Sequence, residues 1–184
     1  GVQYGQLMGL LSIISGIVLI LSGAVISVRF LQKKQKNILI VDGNSDFMDV
    51  IAGMLKVGGY TSRIATTGKE CFEKLDAALP DLILLDIGME PENGWETLQQ
   101  IKKNPATRDI PVIMLTAQKI TPGDVKDYGV CIEDYVEKPV SLKDLNSAIA
   151  HVFERRQSIK EKIAIAKGAG VDRDELCECA RLTR

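Results

Sequence analysis

The chain has 184 residues, with 23 basic and 24 acidic side chains and a formal net charge of −1. That length bounds it to one domain of ordinary size plus extra segments, and so balanced a charge gives no electrostatic ground for binding nucleic acid. The four Cys (Cys71, Cys131, Cys177, Cys179) form no disulfide framework, and Cys177-x-Cys179 has neither a second Cys pair nor a nearby His to complete a metal site.

Residues 1–28 carry no charged side chain. The run from Leu7 to Val28 is apolar or small throughout, and as a helix it would extend about 33 Å at ~1.5 Å per residue, the thickness of a bilayer core. It lacks the basic start of a cleaved signal peptide and is too long for one. Basic residues follow at Arg29, Lys33, Lys34 and Lys36. By the positive-inside tendency this predicts one membrane span over 1–28 with a short outside N-terminus, a basic juxtamembrane linker over 29–36, and a cytoplasmic remainder. The linker also suits contact with lipid headgroups. Gly9, Ser12, Gly16 and Gly23 share one face of the predicted span, which permits close helix–helix approach and hence a homodimer. The first residue is Gly rather than Met, so the sequence reads equally as a processed chain or a piece of a longer one.

From Asn37 the pattern alternates. Ile38 to Asp42 reads as a buried strand. Asp46 to Val57 reads as a helix with Phe47, Val50, Ile51, Met54 and Leu55 on one face, stopped by Gly58-Gly59. A more exposed strand spans Thr61 to Ala65, and a helix spans Lys69 to Ala78. The strand Asp81 to Asp86 precedes a helix from Gly94 to Lys103, and Ile110 to Thr116 is a further strand. The stretch from Pro122-Gly123 to Tyr128 supports only a short helix. Ile132 to Glu137 is the last strand and Leu142 to Arg156 a strong amphipathic helix, which residues 157–168 are able to extend until Gly168-Ala169-Gly170 breaks it. Cys71 and Cys131 fall in apolar contexts and read as core thiols. The sole His, His151, lies in the last helix and reads as a structural or surface residue.

Alternating strands and helices predict an α/β fold: a five-stranded, doubly wound parallel sheet over residues 37–156, with right-handed crossovers and helices on both faces. Strand runs that are apolar on both faces fit it. Residues 157–184 form a helical tail with no evident role.

Several predicted strands deliver a polar residue at the C-terminal end: Asp42, Asp86, Thr116 and, just past the last strand, Lys138. In open parallel sheets that edge is where sites form. Taken singly, each has a bland reading as a strand-end cap, a helix-N-terminal anion, a strand Thr or a surface Lys. Together they match what phosphoryl transfer to a carboxylate needs: an ionised Asp, a carboxylate site for a divalent cation, a hydroxyl for the new phosphoryl group and a cation to balance its oxygens. Glu90 and Glu92 read as solvated loop acids.

The segments ILIVDGN, LILLDIGMEPENGWETL, VIMLTA and DYVEKPV, in this order and spacing, resemble the response-regulator receiver domains of two-component signalling, with the flavodoxin-like receiver fold. The resemblance covers Asn37 to Arg156. It implies that Asp86 is the phosphoacceptor and that Asp42, Asp86 and the Gly88 backbone carbonyl hold Mg2+. It further implies that Thr116, Ala117 and Lys138 bind or make room for the phosphoryl group, and that Tyr135 is the conformational-switch aromatic. Gly94 matches the family's turn glycine and Pro139 the proline of its Lys-Pro pair. The sequence departs from the family at Gly43, where a second acid usually follows the first. Losing that carboxylate is expected to weaken Mg2+ binding, with Asn44 and Asp46 near enough to help.

The reading is a membrane-anchored receiver that takes a phosphoryl group on Asp86 from a histidine kinase or phosphotransfer protein. It would be a signalling domain rather than an enzyme, with self-catalysed phosphotransfer and autodephosphorylation at most. Self-association through the receiver itself is a further expectation, and no nucleic-acid partner is evident. The alternative is a pseudo-receiver, an interaction module that phosphorylates weakly because of Gly43. An aspartyl-phosphate hydrolase using Asp42 as nucleophile is disfavoured, since it wants an acid two residues on, where this chain has Asn44.

Overall fold

The computed structural model describes residues 35–117 and 132–168. The predicted membrane span, most of the basic linker, the short helix near Pro122, the tail beyond Gly168, and Cys131, Cys177 and Cys179 lie outside the described residues. Among the described residues no helix is long and apolar enough to cross a membrane.

The elements run β1 (Asn37–Val41), α1 (Ser45–Val57), β2 (Thr61–Ala65), α2 (Gly68–Ala77), β3 (Leu82–Asp86), α3 (Gly94–Lys103), β4 (Val112–Thr116), β5 (Asp134–Glu137) and α4 (Leu142–Gly168). The strands form one parallel sheet in the order β2-β1-β3-β4-β5. Successive strand residues point to opposite faces, and the core divides accordingly. Ile38, Ile40, Leu82, Leu84, Ile113 and Leu115 pack with Met48, Ile51 and Leu55 of α1 and Leu145, Ile149 and Val152 of α4. Leu39, Val41, Ile83, Leu85, Val112 and Met114 pack with Cys71 and Leu75 of α2 and Leu98 and Ile101 of α3. Both faces of β1, β3 and β4 are therefore buried, which is why these strands read as unbroken apolar runs. Each fully buried Leu or Ile contributes roughly 1.5–3 kcal/mol.

Local chemistry sets the helix starts. The Asn44 side chain accepts from the Phe47 N–H, Thr67 from Glu70, and Asn93 from Glu96, each cap satisfying an amide that the first turn leaves without a partner. Ser141 Oγ accepts from the Asp144 N–H at 3.1 Å. After α1 the chain turns through Gly59 at φ +82°, a left-handed conformation that glycine adopts at no steric cost.

Three expectations shift. In α1 Val50 is 54% exposed and Met48 takes its place in the core. Met48, Ile51 and Leu55 fall at i, i+3 and i+7, and Val50 sits one residue, about 100° of helix, off that stripe. The strands predicted from Ile110 and Ile132 begin later, at Val112 and Asp134, while the last helix runs unbroken to Gly168, the extension the sequence allows. Cys71 is fully buried, and burial pushes its thiol up to about 12, so it is an inert core residue. His151 is exposed.

The far end of the sheet is tied to α4 by Glu133. Its carboxylate accepts from Arg155 Nη2 (3.1 Å) and Arg156 Nη2 (2.8 Å), while Arg156 Nη1 donates to the Asp109 carbonyl. Burial alone would raise the Glu133 pKa, but the Arg156 hydrogen bond and the charges of Arg156, Arg155 and Lys102 hold it below the ordinary value. A depressed carboxylate pKa adds stability above the unfolded value, and that stability is lost as pH falls through the folded value. Glu133→Gln is therefore expected to lower stability by about 1–2 kcal/mol at pH 7. Urea titrations at several pH values should show that difference shrinking below about pH 4.5; a deficit independent of pH would rule out the ion pair as its source.

Candidate functional site

The strand register brings the C-terminal ends of β1, β3, β4 and β5 to one edge, with Val41 beside Leu85, Asp86 beside Leu115 and Thr116 beside Glu137. Asp42 follows β1, Asp86 and Thr116 close β3 and β4, and Lys138 follows β5. A cleft of about 530 Å³ opens there, lined by Asp42, Asp86, Thr116, Ala117 and Lys138 together with Gly43, Asn44, Gly88 and Glu90. Of the residues predicted for the site, Asn44 lines this cleft with the others, whereas Asp46 is exposed in the first turn of α1 outside its lining and Tyr135 lies on β5 opposite Met114, 48% exposed.

Asp42 is 1% exposed and Asp86 7%. Buried carboxylates persist only when paired, and one ammonium serves both: Lys138 Nζ donates to Asp42 Oδ2 at 2.7 Å and to Asp86 Oδ1 at 2.8 Å. Burial pushes the Lys138 pKa down, yet the hydrogen bonds and charges of Asp42 and Asp86 outweigh it and carry it above the ordinary lysine value. Lys138 is thus fully charged at neutral pH. Its backbone N–H donates to the Thr116 carbonyl at 2.7 Å, which locks the residue after β5 to the end of β4. The Lys138–Pro139 peptide is cis, as is Glu90–Pro91.

Asp42 Oδ1 accepts from the Asn44 N–H at 2.8 Å, so the first acid is held on both oxygens. Thr116 is 1% exposed and lines the cleft at the same edge. Gly88 lies beside the other oxygen of Asp86: a Cβ there would sit 3.5 Å from Oδ2. Gly94 returns under β3, its N–H donating to the Ile87 carbonyl at 3.0 Å. A Cβ on Gly94 would run into the Asp86 carbonyl oxygen and come within 2.8 Å of the Ile87 Cα, so this turn admits only glycine. Gly43 is the opposite case, since a Cβ there would meet nothing within 4 Å.

The two carboxylates are hard oxygen donors of the kind Mg2+ prefers, and Mg2+ commonly takes one or two protein carboxylates while keeping several waters. The donor set therefore fits that ion. Among the described residues no three acidic, His or Cys side chains converge to form a fuller cage.

Sequence reasoning missed two features. The sequence pattern places Phe47 only on the core face of its helix, yet its ring centre lies 4.4 Å from Lys138 Nζ. Glu90 was read as a solvated loop acid; it is exposed, but it lines the cleft. An aromatic in the first turn after the strand-end acid was the available signal for the first. Nothing in the sequence separated Glu90 from Glu92.

Residues 38–150 match the response regulator receiver domain family. The chain belongs to that family. The receiver is 33% identical over 120 residues to the phosphate regulon transcriptional regulatory protein PhoB of Pseudomonas aeruginosa, covering 65% of this chain and 52% of that protein. It is 36% identical over 129 residues to a probable transcriptional regulator, ycf27, of Guillardia theta, covering 68% and 48%. The chain spans about half the length of the curated relatives it matches first. Among solved structures, the N-terminal domain of a response regulator receiver protein from Methanoculleus marisnigri JR1 superposes with a TM-score of 0.56 at 53% identity, covering 64% of this chain and 95% of that one. A chemotaxis protein of Vibrio cholerae, CheY4, shares the fold at 22% identity and a TM-score of 0.60. Receiver domains are signalling domains of two-component systems rather than classical enzymes. They interact with histidine kinases or phosphotransfer proteins and generally bind Mg2+.

Proposed function

We propose that this receiver accepts a phosphoryl group on Asp86 from the phosphohistidine of a histidine kinase or phosphotransfer protein. The observation that carries the reading is the Lys138 ammonium bonded at once to Asp42 and Asp86 at the C-terminal edge of the sheet. One Asp86 carboxylate oxygen attacks phosphorus, the P–N bond to the donor imidazole breaks, and the electron pair returns to that nitrogen. Lys138 holds the carboxylate as an anion and then follows the charge onto the phosphoryl oxygens, while Thr116 supplies a hydroxyl donor and Ala117 leaves room. Mg2+, held by Asp42, Asp86 and the Gly88 carbonyl, supplies charge neutralisation when bound.

Treating the full chain with acetyl phosphate and Mg2+ should add the mass of one phosphoryl group to wild type and none to Asp86→Ala. No gain at any Mg2+ concentration would sink the proposal in favour of the pseudo-receiver, which Gly43 favours by removing one acid from the metal site.

We further propose that the receiver is tethered at the inner face of a membrane. The uncharged run Leu7 to Val28 and the basic residues after it support this. Recovery of the chain in the soluble fraction after alkaline carbonate extraction of membranes would refute the tether.

A further inference from the structure

An ammonium offers three N–H donors. In Lys138 two of them go to Asp42 Oδ2 and Asp86 Oδ1. On another side the ammonium lies 4.4 Å from the centre of the Phe47 ring, well inside the ~6 Å over which a cation is drawn to the negative face of an aromatic ring. Phe47 is half-buried and packs against the core cluster beneath α1 and α4, so the ring is not free to swing away. The Lys138 side chain is only 21% exposed, and partial withdrawal from water strengthens such a contact.

These contacts close a circuit. Asp42 Oδ1 accepts from the Asn44 N–H at 2.8 Å, and the Asn44 side chain accepts from the Phe47 N–H at 3.0 Å. The Phe47 ring meets Lys138 Nζ, and Lys138 Nζ returns to Asp42 Oδ2. Gly43 sits inside this circuit with no side chain to contribute. We infer that Phe47 is a positioning residue, its ring fixing the Lys138 ammonium between the two carboxylates from the side that no carboxylate occupies.

The consequence for signalling rests on the phosphoacceptor reading. When Asp86 is phosphorylated, its carboxylate loses its charge and the Lys138 hydrogen bond passes to a phosphoryl oxygen. Asp42 and the Phe47 ring are the partners of the lysine that the reaction leaves chemically unchanged, and together they keep the ammonium aimed while its bond to Asp86 changes hands.

The test uses the full chain with Phe47→Leu, Phe47→Tyr and pentafluorophenylalanine at position 47, which keeps the bulk and apolar surface but reverses the charge distribution of the ring. NMR of Lys138 should show its ε-protons shifted upfield by the ring in wild type and Phe47→Tyr, and near ordinary lysine positions in Phe47→Leu. Beryllofluoride with Mg2+, a phosphoryl mimic, should bind about 3- to 10-fold more weakly to Phe47→Leu and to the fluorinated chain, with Phe47→Tyr close to wild type. Unchanged Lys138 shifts in Phe47→Leu, or equal affinity across the series, would overturn the inference. So would a loss that follows melting temperature alone, with the fluorinated chain behaving as wild type. If wild type takes up no beryllofluoride, the phosphoacceptor reading fails by itself and the Lys138 shifts still decide the role of Phe47.

Discussion

Gly94→Ala is expected to destabilise the receiver by about 3 kcal/mol or more, lowering its melting temperature by roughly 10–20 °C. The new methyl would overlap the Asp86 carbonyl oxygen and crowd the Ile87 Cα. Both are backbone atoms, so no side chain can turn aside to relieve the contact. The strand above is held too: the Ile87 N–H donates to the Leu115 carbonyl at 3.0 Å and its carbonyl accepts from Gly94 itself. Relief must come from moving the end of β3, which carries Asp86. Thermal melts measure the first effect and phosphorylation by acetyl phosphate the second, and both should fail together. Gly43→Ala is the matched control, because its Cβ meets open space; a similar loss of stability there would mean the steric account of Gly94 is wrong.

Gly43→Asp is expected to tighten Mg2+ binding about tenfold, as each added carboxylate raises the charge of an oxygen site. The structure leaves room for the side chain, since nothing lies within 4 Å of its first carbon. The variant should also be less stable than wild type without Mg2+. Asp42 and Asp86 already share one ammonium, and a third negative charge nearby would have no new counter-ion. Bound metal reverses the deficit, because a ligand that binds only the folded state stabilises it in proportion to the logarithm of its concentration over Kd. Melting curves against Mg2+ should therefore cross: wild type higher at zero metal, Gly43→Asp higher at millimolar metal. Parallel curves would show that position 43 does not address the metal site in this chain.

Most of the sheet was legible because β1, β3 and β4 are buried on both faces and carry unbroken Ile, Leu and Val runs, with the site residues attached at their ends. Asp42, Asp86, Thr116 and Lys138 each sit at or just past the C-terminal end of a strand, and in a parallel sheet those ends share one edge. Val50 turns outward because α1 carries seven large apolar side chains around more than one face, and only packing chooses which stripe turns inward. The late starts at Val112 and Asp134 reflect pairing rather than propensity, as a strand begins where a neighbour offers hydrogen bonds. The Phe47–Lys138 contact was out of reach for a different reason: it joins residues 91 positions apart in sequence (138 − 47) across two elements, and no periodicity encodes such a meeting.

The length of α4 has a mechanical consequence. Its first turns are clamped in the core by Leu145, Ile149 and Val152 beside Val136 of β5, two residues from Lys138, whereas Ile165 near the far end is 73% exposed. Gly168 lies about 24 Å of helix beyond Val152. A tilt of only ~5° at the clamp would carry that tip about 2 Å sideways. The helix is thus a lever whose short arm rests on the strand that ends at the site.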